Sequence, residues 1–85
     1  MKAIFSMLKN PRTYFAKGTG EQKVAHNIEL KVPGEGTGDL YVSEAVYKQA
    51  AALGLKEGEE VEVQYGARVY RGSLDTVVIG ITRAA

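Results

Sequence analysis

Between Val24 and Val32 apolar and polar positions alternate without a break, with Val24, His26, Ile28, Leu30 and Val32 on one face and Ala25, Asn27, Glu29 and Lys31 on the other. Successive side chains of an extended backbone point to opposite sides, so this period of two predicts a half-buried strand. The same pattern returns at residues 60–65, where Val61, Val63 and Tyr65 oppose Glu60, Glu62 and Gln64. Gly66 in mid-run predicts a bulge or sharp bend before Arg68–Arg71 continue that strand. Gly72-Ser73 then turns the chain into a last strand over residues 74–82, with Val77, Ile79 and Ile81 expected on one side. At the other end, the apolar run of residues 2–8 reads as a first strand, interrupted at Asn10-Pro11 and resumed in extended form over Arg12–Lys17, with a turn at Gly18-Thr19-Gly20. Residues 33–38 form a glycine-rich loop, and a short strand, Asp39–Val42, follows it. The period changes to that of a helix only once. Ser43 offers an N-cap oxygen and Glu44 a first-turn carboxylate; Val46, Ala50 and Leu53 make one face, and Gly54 supplies the stop.

The resulting order, β-β-β-α-β-β, is that of an all-β domain with one helix. A five-stranded Greek-key barrel with a helix between its third and fourth strands is the OB-fold arrangement, in which strands 2 and 3 and the loops 1–2 and 4–5 form the ligand face. Closure would also remove the exposed sheet edges that so short a chain can ill tolerate. Eighty-five residues, 45% hydrophobic and 25% charged, fit one small globular domain spanning residues 1–85. With no cysteine, no membrane-spanning run and no signal-peptide core, the expectation is a soluble cytoplasmic protein (host cytoplasm if the chain is phage-encoded). One histidine and no cysteine leave no zinc set and no nucleophile–base constellation, so neither a metal, a cofactor nor an enzymatic activity is expected.

Charge changes the picture more than composition does. The net charge is +1, yet residues 1–20 carry +4 with no acid, residues 21–62 carry −5, and residues 63–85 carry +2. Attraction between a protein and a polyanion is local, because salt screens it beyond about 8–10 Å. Two segments combine cations with flat side chains: Lys9, Arg12, Tyr14, Phe15 and Lys17 in the first, Arg68, Tyr70 and Arg71 in the second. Single-stranded nucleic acid needs that mixture, cations for phosphates and rings on which bases stack. Neighbours on a strand face opposite ways, so at most one of Tyr14 and Phe15 is buried. Tyr65 continues the Val61–Val63 face and is expected in the core. Tyr41 would stack only if its face bound the ligand, and Asp39 and Glu44 beside it argue against close phosphates. His26 and Tyr47 are expected to pack. Glu57, Glu59, Glu60 and Glu62 read as a solvated back surface that repels polyanions.

With its elements laid out, the chain resembles the single-stranded-DNA-binding OB-fold proteins, of the bacterial replication type and of the small filamentous-phage type. The resemblance rests on the first strand followed by LKNPRTYFAKGTG, on KVAHNIELKV, on LYVSEAVYKQAAALGLKEGEEVEVQYG and on the ending RGSLDTVVIGI, and so covers nearly the whole chain. It is a likeness of pattern. The tryptophans and acidic tail of the replication proteins are absent, which points toward a compact phage, plasmid or accessory protein. The resemblance implies sequence-tolerant binding of single-stranded DNA in replication or recombination, by a homodimer or higher homo-oligomer. It also implies that the two basic, aromatic arms flank one groove. Two other readings belong beside it: an RNA-binding OB module, since only contacts to the 2′-hydroxyl separate the two nucleic acids, and a swapped-hairpin regulator of duplex DNA, whose strand-helix-LGLKEG-strand core is similar to LYVSEAVYKQAAALGLKEGEEVEV. A barrel that binds protein through an exposed edge is a further class.

Overall fold

The computed structural model describes residues 1–84 and contains six strands and one helix. These are β1 (Lys2–Leu8), β2 (Arg12–Phe15), β3 (Gln22–Val32), β4 (Gly36–Val42), α1 (Glu44–Ala52), β5 (Glu60–Tyr70) and β6 (Ser73–Arg83). Asn10-Pro11 divides the expected first strand in two. Both pieces pair with β3, β2 through Gln22–Ala25 and β1 through Ile28–Lys31, which raises the strand count from five to six. β4 begins three residues earlier than expected, because the chain reverses in the tight turn of residues 33–35 and Gly36 already pairs with Val32.

All pairings are antiparallel, and they run β4-β3-β1-β5-β6, with β2 on the outer half of β3. β4 and β6 each have one paired neighbour, so the sheet is open rather than the closed barrel that the element order predicts. Ser43 caps α1, its oxygen accepting from the Val46 amide at 3.3 Å, and Val46 and Ala50 turn inward onto the sheet. On the way Gln49 Oε1 accepts a hydrogen bond from the Ile81 amide of β6 at 3.4 Å. At the helix C-terminus the Arg83 guanidinium donates to the Leu53 carbonyl and, at 2.6 Å, to Glu59. The helix is thus tied to the C-terminal end of β6.

The core lies between the sheet and α1, and it is wholly apolar: Phe5 of β1, Ile28 and Leu30 of β3, Val42 of β4, Val61 and Val63 of β5 and Ile81 of β6 carry most of it. The two longest alternating strands outrun this core. On β3, Ile28 and Leu30 are buried, His26 and Val32 are half-buried, and Val24 is exposed. On β5 burial stops at Val63, and Tyr65 is exposed instead of packed.

The last strand corrects a second expectation. Val63 pairs with Ile81 and Gln64 with Gly80, but Tyr65 pairs with Val78, so Ile79 is an extra residue bulged out of β6. A bulge reverses the phase of alternation. Val78 and Ile81 are therefore buried while Ile79 points away from the core, and Val77, Ile79 and Ile81 do not share a side. The sequence located this irregularity at Gly66, and the two features are linked: a Cβ on Gly66 would stand 3.0 Å from Ile79 Cγ2. Beyond the bulge, β5 and β6 continue as a two-stranded arm whose residues 67–76 are all exposed.

Candidate nucleic-acid interface

The open side of the sheet is a furrow. Between the facing edges lies a depression of about 620 Å³, lined on one flank by residues 40–43 of β4 and the helix cap and on the other by Tyr65, Arg68 and residues 75–78. A second depression, of about 430 Å³, is lined by the same Tyr41, Val42 and Ser43 and runs on to Tyr14, Lys23, Val24, His26 and Glu44. The two adjoin at Tyr41, Val42 and Ser43, which line both, and Tyr41 is 62% exposed. Tyr65 on β5 thus lines the first depression, Tyr14 on β2 the second, and Tyr41 on β4 both.

The sequence physics of each is plain. Tyr14 sits on a four-residue strand that pairs only with the free end of β3, where no core lies beneath it. Tyr41 alternates with Leu40 and Val42, and Val42 takes the buried position. Tyr65 follows Val63 by two, one step past the last core layer; its hydroxyl reaches the Met1 sulfur at 3.8 Å.

Of the eight residues that the sequence singles out, the furrow brings together Tyr14 and Arg68. Arg12, Phe15 and Lys17 stay on the exposed β2–β3 hairpin beside it, Phe15 being 70% exposed. Tyr70 and Arg71 stand at the tip of the β5–β6 arm. There Tyr70 pairs with Ser73, which leaves Arg71-Gly72 as a two-residue turn with φ of 50° and 79°. Two positive φ values define the hairpin turn that matches strand twist, and they favour Asn or Gly over Arg. The Arg71 guanidinium lies 5.3 Å from the Tyr70 ring centre and that of Arg68 lies 6.0 Å from it, so both cations share one ring.

Lys9 is engaged within the chain. Its ammonium bridges Glu29 and Asp39, each at 3.6 Å, and its carbonyl accepts from the Tyr47 hydroxyl at 2.7 Å, which pins the β1–β2 link to the helix. Arg68 is half-neutralised by Asp75 at 3.6 Å. Among the described residues, Arg12, Lys17, Lys23 and Arg71 make no ion pair. Lys2, Lys31 and Lys56 are likewise unpaired but line neither depression; Arg12, Lys17 and Arg71 stand on the hairpins, and the furrow itself holds bases and acids in equal number, Lys23 and Arg68 against Glu44 and Asp75. Lys48, hydrogen-bonded to Glu44 at 3.0 Å, holds that carboxyl below its usual range, with His26 a smaller contributor. Glu59 is held low by the Lys56 amide first and by Arg83 second, and none of Glu57, Glu59, Glu60 and Glu62 lines the furrow.

Tyr41, Tyr65, Lys23 and His26 are the furrow residues that sequence reasoning set aside. For Tyr41 the signal was present, since a tyrosine on the polar phase of a strand is exposed by alternation alone. For Tyr65 it was hidden, because alternation continues past the point where the core ends. No helix among the described residues is long and apolar enough to cross a membrane, and no three metal-ligating side chains converge among them. Comparison of the chain with protein-family models, with curated proteins and with solved structures finds no match in any of the three.

Proposed function

We propose that this protein binds single-stranded nucleic acid, DNA in the first instance, without reading its sequence, and that the sheet is an OB-type barrel opened along the β4–β6 seam. The observation that carries the proposal is the placing of three tyrosines on two adjoining depressions. Tyr14, Tyr41 and Tyr65 come from three strands, Tyr41 lines both depressions, and the β2–β3 and β5–β6 hairpins carry the unpaired Arg12, Lys17 and Arg71. Every base has a π-face, so a row of tyrosines accepts any sequence, while cations along the rims follow the phosphates. The neutral floor suits bases and the charged rims suit the backbone. An OB-fold is itself a partly open barrel whose ligand lies against strands 2 and 3 and between the loops 1–2 and 4–5. The corresponding elements here are β3 and β4 and the hairpins at residues 16–21 and 71–72.

Fluorescence anisotropy with a labelled dT oligomer, a matched RNA and a duplex, each at two salt concentrations, tests the proposal. Binding to dT that weakens steeply with salt and exceeds binding to duplex is the expected result. Absence of salt-sensitive binding to all three would refute it, and a clear preference for duplex would replace it with the regulator reading.

A further inference from the structure

His26 is the one histidine of the chain, and the structure does not bury it in the core. It is half-buried in the wall of the furrow, beside Tyr14, Lys23 and Tyr41. Its backbone pairs with Val42, one residue before the helix cap, and its ring packs at 5.2 Å and 54° against Tyr47 of α1. The helix also contributes Glu44, the acid that lines the same depression as His26. The other charged groups around it are known. Lys23 and Arg12 come from β3 and β2; Lys9 turns its ammonium to Glu29 and Asp39; Lys48 is paired with Glu44.

From this placement, and resting on the single-strand reading above, we infer that His26 is a ligand-contacting residue whose protonation tightens the hold of the furrow on the nucleic-acid backbone. Histidine is the side chain whose charge ordinarily changes between pH 5 and 8. When neutral, it adds no charge to a wall whose acid, Glu44, is already paired with Lys48. When protonated, it supplies a further cation on that wall, beside Lys23. By linkage, a polyanion that prefers the charged ring must raise the affinity of the ring for its proton, so binding strengthens as pH falls. A ligand that displaces the titration by one pH unit gains at most about tenfold in affinity from this one group.

The experiment measures dT-oligomer affinity at fixed salt at pH 5.5 and pH 8.0, for the native protein and for His26→Gln. Thymine and the phosphodiester do not titrate in that interval, so the protein carries the difference. The native protein is expected to bind about threefold to tenfold more tightly at pH 5.5, and His26→Gln is expected to lose most of that gain. Equal pH dependence in the two proteins would overturn the inference and leave the single-strand reading intact, whereas no dT binding at either pH would overturn that reading itself. Because His26 packs on Tyr47, a second measurement uses the native chain alone: the His26 ring protons are followed by NMR against pH, with and without saturating dT oligomer. The titration midpoint is expected to move upward with the ligand, and a midpoint that does not move contradicts the inference.

Discussion

Arg71 holds a left-handed backbone conformation that costs an ordinary L-residue roughly 1–2 kcal/mol. Gly there would relieve the strain, and its guanidinium is unpaired by any acid among the described residues. If the side chain serves the phosphate backbone, stability and binding should part company at this position. Arg71→Gly is expected to raise the stability of the fold by a few tenths to about 1 kcal/mol in chemical denaturation. The same variant is expected to lower the slope of log affinity against log salt by about 0.7, the value of one phosphate contact on a single strand. A variant less stable than the native chain with an unchanged salt slope would show that Arg71 serves only the turn. At Tyr41 the expectation is one of stacking. Tyr41→Ala removes an exposed ring and should leave stability within about 0.5 kcal/mol, while dT affinity falls by roughly 1–3 kcal/mol. The same loss in Phe15→Ala and none in Tyr41→Ala would place the ligand on the hairpin instead of in the furrow.

Among the elements, α1 is the one that covers the core and ties to the last strand. Ser43 starts it, Gly54 ends it, and Gln49 and Arg83 tie it to β6. Ser43→Ala is expected to cost about 1 kcal/mol in thermal or chemical unfolding, the usual worth of an N-cap hydroxyl. Glu44 and Glu59 have carboxyls held below their ordinary value of 4.5, by Lys48 and by the Lys56 amide with Arg83 respectively. A carboxylate with a lowered folded-state pKa binds protons more weakly folded than unfolded. Its contribution is therefore complete above about pH 4.5 and is lost as pH falls through the lowered value. Unfolding midpoints measured from pH 6 down to pH 3 should drop below about pH 4.5, and less so in Glu59→Gln.

The helix and most of the strand segments were legible because each has a local cause: alternation for the strands, Ser43 and Gly54 for the helix, Gly72-Ser73 for the last reversal; the division at Asn10-Pro11 into β1 and β2, and so the count of six strands, was not. What escaped depends on distance through space. Nothing near Tyr65 reveals that the core ends at Val63, since the cover is supplied by a helix 13 residues earlier in the chain. The extra residue Ile79 was misplaced to Gly66 because a bulge and the glycine it leans on lie on partner strands. The ion pairs of Lys9 were hidden in the same way, because only the register of β3 with β4 brings Glu29 and Asp39 together beside its ammonium.

Over the whole molecule, the three scales agree on an asymmetric object. One side is an open seam with tyrosines along its floor and unpaired cations on two hairpins; residues 57–62 away from it carry four glutamates. The hairpins are free because both long strands outrun the core. The chain's small net charge hides this arrangement, which matters only within a screening length of the ligand.

The most direct test of the central claim is a two-dimensional amide NMR titration of the protein with a dT oligomer. Chemical-shift changes are expected to concentrate on Tyr14, Lys23, residues 41–43 and residues 75–78, the two flanks of the furrow, and to leave residues 57–62 still. Changes confined to the acidic segment or scattered over the surface, or none at saturating oligomer, would contradict it.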